Sequence, residues 1–329
     1  MKLTRRSGTL LSTAVLAGAA MVAGCAVPRM LQEPFEKGVY RDILERQEQN
    51  IPIDDDKLKK LPALTGADYE RLGDTYLSRG QLGMARAKYQ KALELEPSEW
   101  RLQYKVGTIY LRENNPSEAL PYFREMIKHD PSSAYGYEGE GRALLAMKDH
   151  EAAEKSLEKA VHLDSSSWKA QLALGMLYDD LGRIDEAIAA YEAALRIRPG
   201  EASILNDLGV AYYLRKDYAK SIETLEKALR TARPEDRKRV YNNLGRAYAR
   251  TGAYPRAVDA FRRGTDLPTA YNNVGVVLLE QDKPAEAAGC FEKAIASAGS
   301  YYAAAHDNLA AAEDRARGAK GGGGQIACP

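Results

Sequence analysis

"QLALGMLYDDLGRIDEAIAAYEAALRIRP", residues 171–199, decides the fold. Gly175 is followed twelve residues later by the small Ala187 and four beyond that by the large Tyr191, and the stretch closes on Pro199. Gly73, Gly107, Gly141, Gly175 and Gly209 stand 34 residues apart, and Gly245 and Gly275 continue the series after intervals of 36 and 30. The small position recurs as Ala85, Ala119, Ala153, Ser221, Ala257 and Ala287; the large one recurs as Tyr89, Phe123, Leu157, Leu225, Phe261 and Phe291. Self-similarity at a fixed period of this length marks an array whose units bury their apolar faces only against one another. Glycine and alanine let paired helices approach closely, and the large side chain fills the gap beside them.

These residues, with Pro97, Pro131 and Pro199 closing three units, resemble the tetratricopeptide repeat, a helix-turn-helix unit, over about 250 residues and seven copies. The resemblance implies an all-α fold: a right-handed superhelical solenoid of seven repeats over 66–302, a capping helix over 303–317 and a disordered tail over 318–329. Pro234 and "DLPTA", residues 266–270, are expected to absorb the uneven intervals at the connections. Composition agrees with helix, since alanine, leucine, glutamate, lysine and arginine dominate and 20 tyrosines supply the aromatic bulk.

Formal charge is +1, but the first 24 residues carry Lys2, Arg5 and Arg6 and no acid, so the remainder carries −2. That balance argues against bulk nucleic-acid binding. The basic "MKLTRR" start and the apolar run over 10–23 read as a secretory signal, 1–24, too short to span a bilayer comfortably. "VAGC", residues 22–25, resembles the lipobox of bacterial lipoproteins. That resemblance implies a diacylglycerol and an N-acyl lipid on Cys25, the new amino terminus, and Ala26 implies sorting to the periplasmic face of the outer membrane. Residues 25–65 read as a tether, with Pro28, Pro34, Pro52 and Pro62 around one helix over 36–47. Asp54, Asp55 and Asp56 read as a solvated helix cap, because no glycine turn or distal glutamate completes a calcium loop.

Two stretches, "VYNNLGRAYA" at 240–249 and "AYNNVGVVLL" at 270–279, place paired asparagines before the repeat glycine. Asparagine is a poor interior helix former. With the glycine numbered position 8, an advance of about 100° per residue puts positions 5 and 6 opposite the packed face, the side that lines the concave groove in the family resembled. Asn206, Asp207, Asn242, Asn243, Asn272, Asn273, Asp307 and Asn308 then form a ladder of groove residues on four successive rungs. Amides offer both donor and acceptor, so the ladder suits the backbone of an extended peptide, each bond contributing a net ~1 kcal/mol. On this reading, alanine at Asn243, Asn273 and Asn308 would leave stability unchanged or raised; the plainer alternative is common background at these positions. In the earlier repeats Arg101, Tyr104, Tyr135 and Arg142 form an aromatic and basic set that suits acidic or aromatic side chains of a partner, although scattered charge on a solvated face is the preferred reading.

His129, His150, His162 and His306 lie far apart, with neither an accompanying nucleophile nor metal-ligand spacing, so no enzyme, metal, cofactor or small-molecule substrate is expected. Cys290 and Cys328 either pair in an oxidising compartment or remain a buried thiol and a tail thiol. The acylated terminus, the shortened "DLPTAYNNVG" repeat and the "AAAHDNLAAAE" helix resemble lipoproteins of tight-adherence (Flp-type) pilus assembly, and type IV pilus pilotins are similar in plan. The resemblance implies a scaffold that binds pilus or secretin components. The alternative is a general periplasmic adaptor docking cell-wall hydrolases or proteases.

Overall fold

The structure, a computed structural model, describes residues 64–318 and Cys328. The chain divides into two units, 1–68 and 69–329, and all of the array but the first residues of its first helix belongs to the second. The signal segment, Cys25, the helix over 36–47, the aspartate run at 54–56 and the tail other than Cys328 lie outside the described residues.

Seven helix pairs and a final helix follow one another among the described residues. The pairs are α1 Gly66–Ser78 with α2 Leu82–Leu95, α3 Trp100–Arg112 with α4 Pro116–His129, and α5 Ala134–Ala146 with α6 His150–Leu163. They continue as α7 Trp168–Asp180 with α8 Ile184–Ile197, α9 Ala202–Leu214 with α10 Tyr218–Thr231, α11 Arg237–Arg250 with α12 Tyr254–Gly264, and α13 Leu267–Glu280 with α14 Pro284–Ser297. The last helix is α15 Ala303–Gly318. This is the all-α tetratricopeptide solenoid that the periodicity implies.

The repeat glycine is required by close approach within each pair. A Cβ on Gly175 would lie 2.4 Å from Tyr191 Cε1, one on Gly107 2.6 Å from Phe123 Cζ, and one on Gly245 2.8 Å from Phe261 Cδ1. The small residues twelve positions later are fully buried, and where serine replaces alanine its hydroxyl is satisfied: Ser221 Oγ donates to the Gly209 carbonyl at 2.7 Å.

The turn inside each pair carries a second periodic signal, seven residues after the glycine. Gly80, Asn114, Lys148, Gly182, Lys216, Gly252 and Asp282 all adopt positive φ, between 58° and 78°. Left-handed backbone ends the first helix there, whether or not glycine occupies the site. Side-chain caps then start several of the helices: Asp149 accepts from the Ala152 amide, Asp217 from Lys220, Ser133 from Gly136 and Ser167 from Ala170.

Both uneven intervals are absorbed partly at the connections, as expected, and partly in a helix. The long one gives 232–236 five residues, where the connections before it have four, and α11 14 residues, where the first helices before it have 13. The short one leaves two residues, 265–266, between α12 and α13, and shortens α12 to 11 residues where the other second helices have 14. Asp266 accepts from the Thr269 amide, and Pro268 sits in the first turn of α13, so the next helix starts early at the expense of the one before. At the other end, Cys290 on α14 and Cys328 form a disulfide with a Cα–Cα distance of 4.6 Å, which answers the pairing question left open by the sequence.

Candidate functional site

Stacking brings the first helices of successive repeats against each other, so part of the face turned away from the paired helix is covered by the next repeat. Position 6 of one repeat thereby meets position 5 of the repeat before it. Lys105 Nζ donates to Glu70 Oε1 at 2.8 Å, Asn243 Nδ2 to Asn206 Oδ1 at 2.9 Å, and Asn308 Nδ2 to Asn272 Oδ1 at 2.9 Å. The asparagine ladder exists, but in two of its rungs the amides pair with one another.

The placement of Asn206 and Asn272 as open groove residues is therefore corrected: they are 2% and 8% exposed. An angular projection of one helix omits the neighbouring first helix that buries position 5. Asn243, Asn273 and Asn308 are half-buried, and Asp307 is exposed. Asp207, also half-buried, accepts from Asn206 Nδ2 at 3.0 Å, and desolvation raises its carboxyl pKa.

The ladder breaks where α12 is short. Asn242 packs against Gly264, where an added Cβ would lie 2.5 Å from Asn242 Oδ1, and that oxygen is buried with no hydrogen-bond partner. Asn273 makes no rung with it, so the joint between the sixth and seventh repeats lacks the amide pair that joins repeats five and six, and that joins repeat seven to α15.

In repeats two to four the same seam is ionic and aromatic. Tyr104 Oη donates to Glu138 Oε2 at 2.8 Å, Arg142 Nη1 to Glu138 Oε1 at 2.9 Å, and Lys169 Nζ to Tyr104 Oη at 2.9 Å. Glu138 is 1% exposed. Burial and the adjacent Glu138 push the Tyr104 hydroxyl up, and burial pulls the Lys169 ammonium down. Tyr135 stacks on Trp100 at 5.6 Å and meets Tyr104 edge-on at 5.5 Å. Arg101 stands apart, bonded to Glu99 at 3.0 Å.

Three of the four residues proposed from sequence thus belong to one network rather than to a solvated scatter of charge. Glu138 and Lys169 complete it. Their signal was present: Tyr104 and Glu138 are one repeat apart, and Gly139 beside Glu138 makes room for the Phe123 ring, 2.1 Å from where its Cβ would lie.

Beside this network lies an open cavity of about 580 Å³ that spans the first helices of repeats two, three and four. Leu111, Leu145, Leu172 and Met176 give it an apolar floor; Arg112 and Lys169 stand at its edge. Met176 is 46% exposed. Lys148, also at the edge, is paired with Asp180 at 2.6 Å. Among the described residues no three His, Cys, Asp or Glu side chains are grouped closely enough to hold a metal ion.

Comparison with known proteins gives the same architecture. Anaphase-promoting complex subunit 3 of Schizosaccharomyces pombe is 26% identical over 235 residues, 59% of this chain and 34% of the relative. Cut9, another anaphase-promoting complex subunit of that yeast, is 28% identical over 51% of this chain and 26% of its own length. The chain thus spans about a third or less of these two curated relatives. Among solved structures, a thermophilic TPR protein of Thermus thermophilus matches with TM-score 0.51 and 22% identity, covering 55% of this chain and 99% of that one. Pseudomonas aeruginosa pilF matches with TM-score 0.51 and 19% identity over 66% of this chain and 91% of its own, a likeness of fold. The family model described as the cilia and flagella-associated protein 70 C-terminal domain, a tetratricopeptide-repeat model, matches residues 63–313, and the chain belongs to that family.

Proposed function

We propose that this chain is a non-enzymatic scaffold that holds protein partners together by gripping extended segments along the first helices of its array. The observation that carries this reading is the cavity across repeats two to four, which joins an apolar floor and an exposed Met176 to two cations that no acid pairs directly. The lipobox-like "VAGC" supports a lipid anchor on Cys25 and a place on the periplasmic face of the outer membrane. The "DLPTAYNNVG" repeat and "AAAHDNLAAAE" helix support pilus or secretion-system biogenesis as the setting, with pilus or secretin components as partners. The second reading, an adaptor for periplasmic hydrolases or proteases, shares the same anchor and groove.

Two experiments test the proposal. Cys25→Ser is expected to abolish labelling by radioactive palmitate and to release the protein from the outer-membrane fraction; unchanged labelling and fractionation would refute the anchor. A photo-crosslinking amino acid at Met176 is expected to capture a partner in living cells, and one at exposed Lys159 on α6 is not. Capture of a secretin or pilin supports the first setting and capture of a hydrolase the second. Equal yields at both sites would remove the groove from the account.

A further inference from the structure

Of the cations that line the cavity, Arg112, Arg142, Lys148 and Lys169, only Arg112 and Lys169 lack a directly bonded carboxylate. Arg142 is bonded to Glu138, Lys148 to Asp180, Arg183 to Glu154 and Arg215 to Asp185. Among the described residues Arg112 pairs with no acid, and Lys169 has only the neutral Tyr104 hydroxyl at 2.9 Å. Both oxygens of Glu138, the nearby buried carboxylate, are engaged by Tyr104 and Arg142. A half-buried ammonium with no directly bonded carboxylate is costly: burial lowers the Lys169 pKa, the charge of Glu138 only partly offsets this, and Arg142, Arg198 and Arg112 add to the lowering. An anion from outside would relieve that cost.

The floor adds a second requirement. Leu111, Leu145, Leu172 and Met176 present aliphatic surface within the same cavity, and the thioether of Met176 adapts to side chains of differing shape. Because the cavity runs across three successive first helices, which in a packed stack lie roughly 8–10 Å apart, an occupant must be elongated. An extended peptide advances about 3.3 Å per residue and puts alternate side chains on opposite faces, so one residue can face the floor while a nearby one reaches the edge. Nucleic acid fits less well: the floor is aliphatic, and Asp180 stands in the same rim.

Resting on the groove reading above, we infer that the cavity between repeats two and four takes an extended peptide carrying a carboxylate close to a bulky aliphatic or aromatic side chain. Arg112 and Lys169 hold the carboxylate, and Leu172 and Met176 receive the apolar group. The site is separate from the asparagine rungs of the later repeats, which are closed by one another.

Selection of random dodecapeptides on the full chain, followed by fluorescence-anisotropy titration of the selected consensus, tests this inference. The selected peptides are expected to carry Asp or Glu within three residues of Leu, Met or Phe. Changing that acid to its amide in the peptide should weaken binding about tenfold, and Arg112→Gln with Lys169→Gln should weaken the acidic peptide about 100-fold while leaving the amide peptide little affected. Lys169→Gln retains a donor for Tyr104, and Arg112→Gln alone, at an exposed and unpaired site, gives the same test without touching the buried network.

Peptides bound tightly but with no preference for acid would overturn this inference and leave the groove reading standing. Failure to select any peptide would overturn both. A chain that instead binds vesicles of anionic phospholipid or single-stranded oligonucleotide through Arg112 and Lys169 would also overturn it, because the anion would then belong to another class of partner.

Discussion

The first helices of repeats one to four and those of repeats five to seven meet their neighbours along the same seam with different chemistry. In the first half Lys105 reaches Glu70, and Tyr104, Arg142 and Lys169 gather around Glu138; in the second Asn243 reaches Asn206, and Asn308 reaches Asn272. Helix stacking fixes where the contact falls. Residue type then decides what remains for a partner, because the paired amides neutralise one another locally, whereas the ionic seam leaves two cations beside an open apolar cavity. The half that looked more specific in sequence, with its repeated asparagines, is the more closed of the two.

One covalent link belongs to the second half alone. Breaking it with Cys328→Ser should cost about 2–4 kcal/mol, as is usual for a disulfide closing a loop of this order. The loss should appear as earlier protection loss in α14 and α15 by hydrogen exchange, while α3 to α6 keep theirs, since repeats transmit stability mainly to neighbours. If wild type and variant melt together under oxidising conditions, Cys290 and Cys328 do not secure the end of the array.

Packing, by contrast, is common to both halves. Gly107→Leu and Gly245→Leu each drive a side chain into the Phe123 or Phe261 ring, and each should destabilise by about 1–3 kcal/mol or more, measured by urea titration. A large effect in one half and none in the other would show that the halves differ in helix packing as well as in seam chemistry.

The sequence disclosed the packing contacts almost completely, because the glycine and the aromatic recur at one spacing and touch within their own repeat. Relations between repeats were harder to read. The burial of Asn206 depends on a helix that starts 31 residues further on, and an angular projection of one helix contains no neighbour. The length change before Gly275 was visible as a number, yet how it divides between α12 and the connection after it depends on competition between the Asp266 cap and the last turn of α12. Likewise Arg142 and Tyr135 were recognisable as candidates, whereas Lys169 became one only when stacking brought its ammonium to Tyr104, 65 residues away in the chain.

The intact and broken rungs give a comparison within the second half. Asn243→Ala removes the donor to the buried Asn206 carbonyl, an unmet group that costs about 1–3 kcal/mol and outweighs a helix-propensity gain of up to ~0.7 kcal/mol. Asn273→Ala breaks no rung and should be neutral or slightly stabilising. A lower melting temperature for Asn243→Ala and an equal or higher one for Asn273→Ala are the expected outcome, and they would reverse the expectation that all such asparagines can be replaced without loss. Should both variants gain stability, the amide pairing contributes nothing, and the asparagines return as candidates for ligand contact.

The smallest expected effect distinguishes repeat five, with Asn206 and Asp207, from repeats six and seven, which carry two asparagines. Desolvation raises the Asp207 carboxyl pKa above its ordinary 3.8, opposed by the Asn206 hydrogen bond and the charge of Arg239. A carboxyl whose pKa is raised by folding binds its proton more tightly in the folded chain, so its contribution to stability is present in full below the unfolded pKa. That contribution is lost as pH rises through the folded pKa. At neutral pH the wild-type chain therefore keeps a poorly solvated charge at the seam, and Asp207→Asn removes it while retaining an acceptor for Asn206. The variant should be more stable by up to about 1 kcal/mol at pH 7, with the advantage shrinking as the solution is acidified through the raised pKa. Urea midpoints for both chains, measured from neutral pH down to the onset of acid unfolding, check this. An advantage that stays constant across that range would assign the effect to helix propensity and leave the burial of Asp207 without energetic consequence.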